Sequence, residues 1–171
     1  MTHVLGIDIS TQTISVMLAS VVEESGVPVE LRISGEWTES RACRDELSRK
    51  DPQVWVELVR DCVLGLKRRL PQVADVQAIG VSTAFPGCFA IGRDGSVDPS
   101  CVSLYDNSDD AGICDGSFED VLGQAESDTL SRMWPGNMAI GLIALLKSGM
   151  KLDDAAGIVP PNTAFASALL K

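Results

Sequence analysis

The 171-residue sequence predicts an α/β domain, and three observations predict it. A short apolar run, Val4 to Ile9, meets a hydroxyl-rich tetrapeptide and continues as an alternating stretch with Ile14, Val16 and Leu18 on one side. One long amphipathic helix opens at Asp51-Pro52. A second apolar strand, centred on Ile79-Gly80-Val81, follows that helix, where a crossover can lay it parallel to the first strand.

The elements follow in order. Val4 to Ile9, the Ser10-Thr11-Gln12-Thr13 turn and the Ile14–Leu18 alternation read as strand, tight turn, strand. Val21 to Gly26 reads as a strand end and turn. Val27 to Trp37 reads as a third strand, with Val29, Leu31 and Ile33 alternating against Glu30, Arg32 and Ser34. Residues 38 to 50 are polar and charged and read as an exposed loop. Asp51 suits an N-cap and Pro52 the first helical position. Trp55, Leu58, Val59, Cys62, Val63 and Leu66 make one apolar stripe at helical spacing, the signature of a core-facing side. Lys67, Arg68 and Arg69 complement the dipole of the last turn, and Pro71 ends the helix. Val76 to Ser82 and Gly87 to Ile91 read as strands, with a turn at Arg93-Asp94-Gly95. Residues 105 to 117 form an acidic loop that lacks the twelve-residue calcium-loop pattern. Phe118 to Leu122 and Thr129 to Met133 are short helical pieces, and Ala139 to Leu146 is a helix with Asn137 as its cap. The stretch from Asn162 to Lys171 reads as a capped helix barely begun, a place where domains rarely end.

Composition narrows the function. The chain is 45% hydrophobic and 5% aromatic, so a packed core is expected and it must be mostly aliphatic. A net charge of −10 disfavours general binding to nucleic acid or to an anionic membrane. It leaves room for a phosphate site, because local N–H groups and a metal work inside an acidic protein. The five cysteines form no CxxC pair, and His3 is the single histidine, which argues against zinc and for reduced thiols in the cytoplasm. No signal peptide is visible, and the longest apolar run, Met138 to Leu146, is too short to span a membrane. Asp8 closes the first apolar run at the edge of a Ser/Thr turn. That arrangement suits a phosphate held by N–H groups and hydroxyls, with the carboxylate on a metal's water shell, but an ordinary hairpin turn has the same pattern.

Three strands, helix, strand, strand is the opening of a ribonuclease-H-like domain, the layout of actin-like ATPases, although periodicity alone fits other α/β folds. Four stretches in register resemble the amino-terminal part of the FGGY family of carbohydrate kinases, which includes xylulokinases and glycerol kinases. Gly6-Ile7-Asp8-Ile9-Ser10-Thr11-Gln12 resembles the opening phosphate loop. Asp51-Pro52-Gln53-Val54-Trp55 resembles the helix start, and Ala78-Ile79-Gly80-Val81-Ser82 followed by Gly87 resembles the substrate strand. Leu104-Tyr105-Asp106-Asn107 stands where the family has an aromatic residue and an Asp-x-Arg motif. The resemblance implies transfer of the ATP γ-phosphate to a sugar or polyol hydroxyl, with ATP and magnesium as cofactors. It implies Asp8 beside the metal and Ser10, Thr11, Gln12 and Thr13 on the phosphate. Thr83, Ala84, Phe85 and Pro86, with Tyr105, Asp106 and Asn107, would face the substrate.

Departures from the family pattern set alternatives beside this expectation. Ser10 replaces the loop glycine, so its side chain either crowds a phosphate or asks for a different backbone. Thr83-Ala84-Phe85-Pro86 replaces the sugar-contacting residues of xylulokinases and glycerol kinases, and Asp109 stands in place of an arginine. Family members have two domains and carry their catalytic-base aspartate beyond the region matched here. The expectation is therefore the amino-terminal portion of a sugar kinase's first domain, incomplete at its C-terminal end and inactive alone. It should show exposed apolar surface, and hence poor solubility or association into a homo-oligomer. The alternatives are a non-catalytic actin-like module that binds a ligand or partner, and a ribonuclease-H-like nuclease. The nuclease would need several clustered carboxylates, and Asp8 is the one acid that the pattern sets at a strand end.

Overall fold

The computed structural model describes residues 2–84, 87–104, 138–151, 153 and 155–171, which form two compact units. The first holds residues 1–49 and 53–84, the second residues 50–52 and 85–171. The predicted pieces Phe118 to Leu122 and Thr129 to Met133, the acidic loop and the cap Asn137 lie outside the described residues.

The first unit is a mixed four-stranded sheet of order β3-β2-β1-β4, built from β1 (Thr2–Ile9), β2 (Thr13–Glu24), β3 (Val27–Ala42) and β4 (Val76–Thr83). β1, β2 and β3 form an antiparallel meander, and β4 returns parallel to β1, as the crossover reading predicts. The β2–β3 hairpin turns through Ser25 and Gly26, at φ 53° and 79°. In the left-handed region a glycine carries no Cβ penalty.

Side chains alternate between the sheet's faces. Leu5, Ile7 and Ile9 of β1 and Ile14, Val16 and Leu18 of β2 share the buried face. Against that face lies helix α2 (Pro52–Arg69), whose Cys62 thiol lies 3.8 Å from the Ile14 carbonyl oxygen. Trp55, Val59, Cys62 and Leu66 of the predicted stripe are buried, while Leu58 and Val63 are half-buried at its margins. Arg69 ends α2, and Pro71 opens a 3-10 turn, Pro71–Asp75, that leads into β4.

Residues 38 to 50 correct the expectation of an exposed loop. Thr38 to Ala42 continue β3 against Met17 to Thr13 of β2, and Glu46–Lys50 form a short helix, α1. Several of the charges that suggested solvent are engaged within the fold. Glu39 accepts hydrogen bonds from Arg41 and from Arg69 of α2, and Gly65 of α2 leaves room for the Glu39 side chain. Asp45 caps α1: its carboxylate accepts from the Ser48 amide at 2.7 Å, and the Ser48 hydroxyl accepts from the Asp45 amide at 3.2 Å. The indole N–H of buried Trp55 donates to the Ser48 carbonyl.

The second unit is a three-stranded antiparallel sheet of order β6-β5-β7, from β5 (Gly87–Ile91), β6 (Val97–Leu104) and β7 (Gly157–Val159). Sequence reading misses β6 and β7. Pro99 breaks the strand pattern of β6, but it stands on the edge of the sheet, in the stretch where the register slips between Phe89 and Ile91. A proline there deprives no central ladder of a donor. Helix α3 (Met138–Lys147) approaches β5 and β6 at Gly141, where a Cβ would stand 2.7 Å from the Cβ of Cys88. Helix α4 (Pro161–Leu169) buries Ala164, Phe165 and Ala168. Its N-cap position is Pro160, with no side-chain cap, so the capped start expected near Asn162 is corrected. No helix among the described residues is long and apolar enough to cross a membrane.

Candidate functional site

Parallel pairing brings two predicted site segments together. β1 and β4 end side by side, with Ile9 opposite Thr83, and the Ala84 amide donates to the Ile9 carbonyl at 2.6 Å. The turn Ser10–Thr13 and the segment that begins at Thr83-Ala84 therefore leave the sheet at one point. In open α/β sheets this carboxyl end of parallel strands is where ligands sit. Phe85, Pro86, Tyr105, Asp106 and Asn107 lie outside the described residues.

Asp8 points to the face opposite α2 and is exposed. No hydrogen bond or ion pair to another described residue engages its carboxylate. Its neighbours in register are Ser15 on β2 and Ser82 on β4, and Ser15 lies beside Ser40 on β3. A row of Ser40, Ser15, Asp8 and Ser82 thus crosses all four strands, with the hydroxyls of Ser15 and Ser40 2.8 Å apart. In the adjacent row Gly6 faces Gly80 and Met17, so the floor beside Asp8 lacks side chains on two strands. Gly6, Asp8, Ser15, Met17, Gly80 and Ser82 line a shallow concavity of about 380 Å3. The sequence motifs missed Ser15 and Ser40, and Ser82 entered as part of the β4 motif without a role. The signal that finds them is strand register, which a single sequence does not print.

The turn is fully specified. The Ser10 amide and the Ser10 hydroxyl both donate to the Thr13 carbonyl, at 2.9 and 2.8 Å. The Thr13 amide donates back to Ser10 Oγ at 3.0 Å, and the Gln12 amide does so at 3.4 Å. The Gln12 carbonyl accepts from the Cys43 amide, and the Thr11 carbonyl accepts from Arg49 Nε at 3.1 Å. Arg49, read from sequence as part of a solvated loop, is thereby a support of the turn. Gln12 and Thr13 are exposed, Ser10 is half-buried, and Thr11 is 6% exposed, so its side chain turns inward. Ser10 has no positive φ; Ser25 is the one described non-glycine residue that has. The sequence left two consequences open for a side chain at position 10, and an unusual backbone is not the one observed.

Among the described residues no group of three or more His, Cys, Asp or Glu side chains is placed to hold a metal. A single carboxylate beside two hydroxyls suits a magnesium ion that keeps most of its waters. A larger concavity of about 590 Å3 lies in the second unit beside Asp98 and Ser100. There the Asp98 carboxylate is engaged by the Ser100 amide and hydroxyl, at 2.9 and 2.7 Å. These hydrogen bonds hold its pKa below the usual carboxylate value. Cys43 and Cys62, by contrast, are pushed up by burial, the direction of an inert thiol.

No family model matches the sequence, and no curated protein matches it. The fold does match solved structures. The chain is similar to a gluconate kinase from Lactobacillus acidophilus, with a TM-score of 0.66 over 96% of this chain at 15% identity. It is similar to xylulose kinases from Rhodospirillum rubrum, at TM-score 0.64 and 14% identity, and from Bifidobacterium adolescentis, at 0.61 and 16%. It spans about a third of the length of these proteins, 32% of the first and 33% of the others. The resemblance to sugar kinases carried by the four sequence motifs is therefore met by the fold of nearly the whole chain.

Proposed function

We propose that this chain is the amino-terminal part of a carbohydrate kinase, with a ribonuclease-H-like first domain that uses ATP and magnesium to phosphorylate a sugar or polyol hydroxyl. One observation carries the reading: the Ser10–Thr13 turn and the Thr83-Ala84 segment emerge together at the ends of parallel β1 and β4, beside the exposed carboxylate of Asp8. Such a point is where a phosphoryl donor and its acceptor have to meet. In this reading Asp8 holds the water shell of the metal, with the Ser15 and Ser82 hydroxyls beside it. Ser10, Gln12 and Thr13 line the phosphate side. Thr83 and Ala84 begin the acceptor side, and the sequence resemblance alone assigns Phe85, Pro86, Tyr105, Asp106 and Asn107 to the same role. The bound metal nucleotide supplies the transferable phosphoryl group and charge neutralisation; the chain's residues orient it.

The edge strand fits the same proposal. Parallel strands are normally covered on both faces, yet residues 77–82 of β4 are exposed, with Ile79 at 57% and Val81 at 42%. Further chain packed on β4 would bury them, and the similar solved proteins are about three times longer. The test is a phosphotransfer assay with MgATP and a panel of sugars and polyols. This chain alone should give no turnover. The same chain extended by its downstream coding sequence should turn over one class of acceptor, and Asp8→Asn should suppress it. A stop codon directly after Lys171, with a soluble and cooperatively folding product, counts against the proposal.

A second reading, a non-catalytic module that binds a ligand or partner, is favoured by Ser10, whose hydroxyl already occupies the turn amides. Turnover by the extended protein excludes it.

A further inference from the structure

We infer that the Ser10 hydroxyl is a built-in occupant of the phosphate turn and sets how tightly that turn can hold a phosphate; the inference rests on the phosphate-turn reading above. A hydroxyl has one hydrogen to donate and two lone pairs to accept with. Ser10 Oγ uses them all inside the turn: it donates to the Thr13 carbonyl at 2.8 Å and accepts from the Thr13 amide at 3.0 Å and the Gln12 amide at 3.4 Å. The Thr13 hydroxyl lies 3.1 Å from the same oxygen.

These are the groups that an anion would need. A phosphate is gripped by successive backbone N–H groups that point to one spot. Here two such N–H groups converge, and the spot is filled by an oxygen of the same chain. The remaining contacts of the turn hold it in this state. Cys43 and Arg49 fix the Gln12 and Thr11 carbonyls, so the amides cannot turn away without breaking those bonds. A phosphate oxygen must therefore displace Ser10 Oγ, and it gains only the difference between two sets of hydrogen bonds. A glycine at position 10 would leave both amides open. The ordinary φ of Ser10 means that serine is accommodated without backbone strain, so its cost falls on the ligand and not on the fold.

The test compares the protein with Ser10→Gly and Ser10→Ala, using MgATP and inorganic tripolyphosphate as titrants in calorimetry. Ser10→Gly should bind both about tenfold more tightly, the size expected when a net hydrogen bond is no longer competed for. Ser10→Ala should gain less, because its methyl group still stands in the turn. Amide hydrogen exchange supplies a readout without ligand. The Gln12 and Thr13 amides should be protected in the wild-type protein and exchange faster in both variants. Fast exchange of these amides in the wild type overturns the inference and needs no variant. If the wild type binds, Asp8→Asn abolishes binding and Ser10→Gly brings no gain, the inference fails and the phosphate-turn reading survives. If no protein in the series binds either titrant, both fail.

Discussion

The two faces of the four-stranded sheet come from the same strands, residue by residue, and they have opposite characters. In β2 the face toward α2 is Ile14, Val16 and Leu18, all fully buried, whereas the other face begins with Ser15 and the half-exposed Met17. In β1 the contrast is Leu5, Ile7 and Ile9 against Gly6 and Asp8. One face is closed by α2 and tied by Glu39, Arg41 and Arg69. The other carries a row of serines, one carboxylate free of described partners, and two neighbouring glycines. The difference teaches where stability and function are separable. Residues on the closed face are fixed by packing, and residues on the open face are excused from it. What the open face holds is therefore the better guide to chemistry.

The comparison breaks first if truncations on the two faces cost the same. Ile14→Ala removes three buried carbons from a site with no exposure, and a loss of about 3 kcal/mol is expected from transfer plus cavity terms. Met17→Ala, three residues along the same strand, should cost under about 1 kcal/mol. Urea denaturation of both variants checks the contrast through the midpoints at unchanged slope. Equal losses would mean that the open face is packed in solution.

The ion pairs of the closed face predict a pH dependence. The hydrogen bond from Arg41, aided by Arg69, holds the Glu39 carboxyl below its ordinary value. A depressed folded pKa gives stability that is fully present above the unfolded value, about 4.3, and is lost as pH falls through the folded value. Asp45, held down by the Ser48 amide and hydroxyl, acts in the same direction. Thermal unfolding followed from about pH 6 to about pH 3 should thus show a falling midpoint, and Glu39→Gln should flatten part of that fall. An unchanged pH profile would show that the Glu39 network is not formed in solution.

The same contrast explains what could be read from the sequence. The closed face was legible because it is periodic: the alternation in β1 and β2 and the Trp55 stripe each name their buried side. Asp8 and the turn were legible as a motif. Residues 38 to 42 were not, since Glu39 and Arg41 look solvated until Arg69 arrives from a helix some thirty residues later. Ser15 and Ser82 were hidden for a related reason. Their significance is that they stand beside Asp8, and this depends on cross-strand register between segments that, for Asp8 and Ser82, lie more than seventy residues apart. β6 escaped because a single proline outweighs its pattern when the edge position is unknown. Local pattern reveals what a residue faces, and non-local pairing decides what it meets.

On the open face the expected effects on stability are smaller. Asp8→Asn should change the unfolding free energy by less than about 0.5 kcal/mol, since no described side chain partners the carboxylate. It should abolish the magnesium dependence of nucleotide binding, measured by titrating ATP with and without the metal. A large stability loss would assign Asp8 to the fold and remove it from the site.

The glycine pair gives the finest test. A Cβ on Gly80 would meet no atom within 4 Å, and one on Gly6 would come no closer than 3.9 Å to the Met17 carbonyl oxygen. Neither glycine has a positive φ, so neither is required by the backbone. Replacing a strand glycine that has room for a side chain lowers the entropy of the unfolded chain, and Gly80→Ala should stabilise the protein by about 0.5 kcal/mol. The added methyl would also stand on the floor of the concavity beside Asp8. If that floor receives a ligand, Gly80→Ala will bind MgATP or acceptor less tightly even though it is the more stable protein, and calorimetry beside thermal unfolding reads both. A variant that gains stability with unchanged binding would place the ligand elsewhere, and the bare floor would then be a consequence of what packs on β4 and not of what binds there.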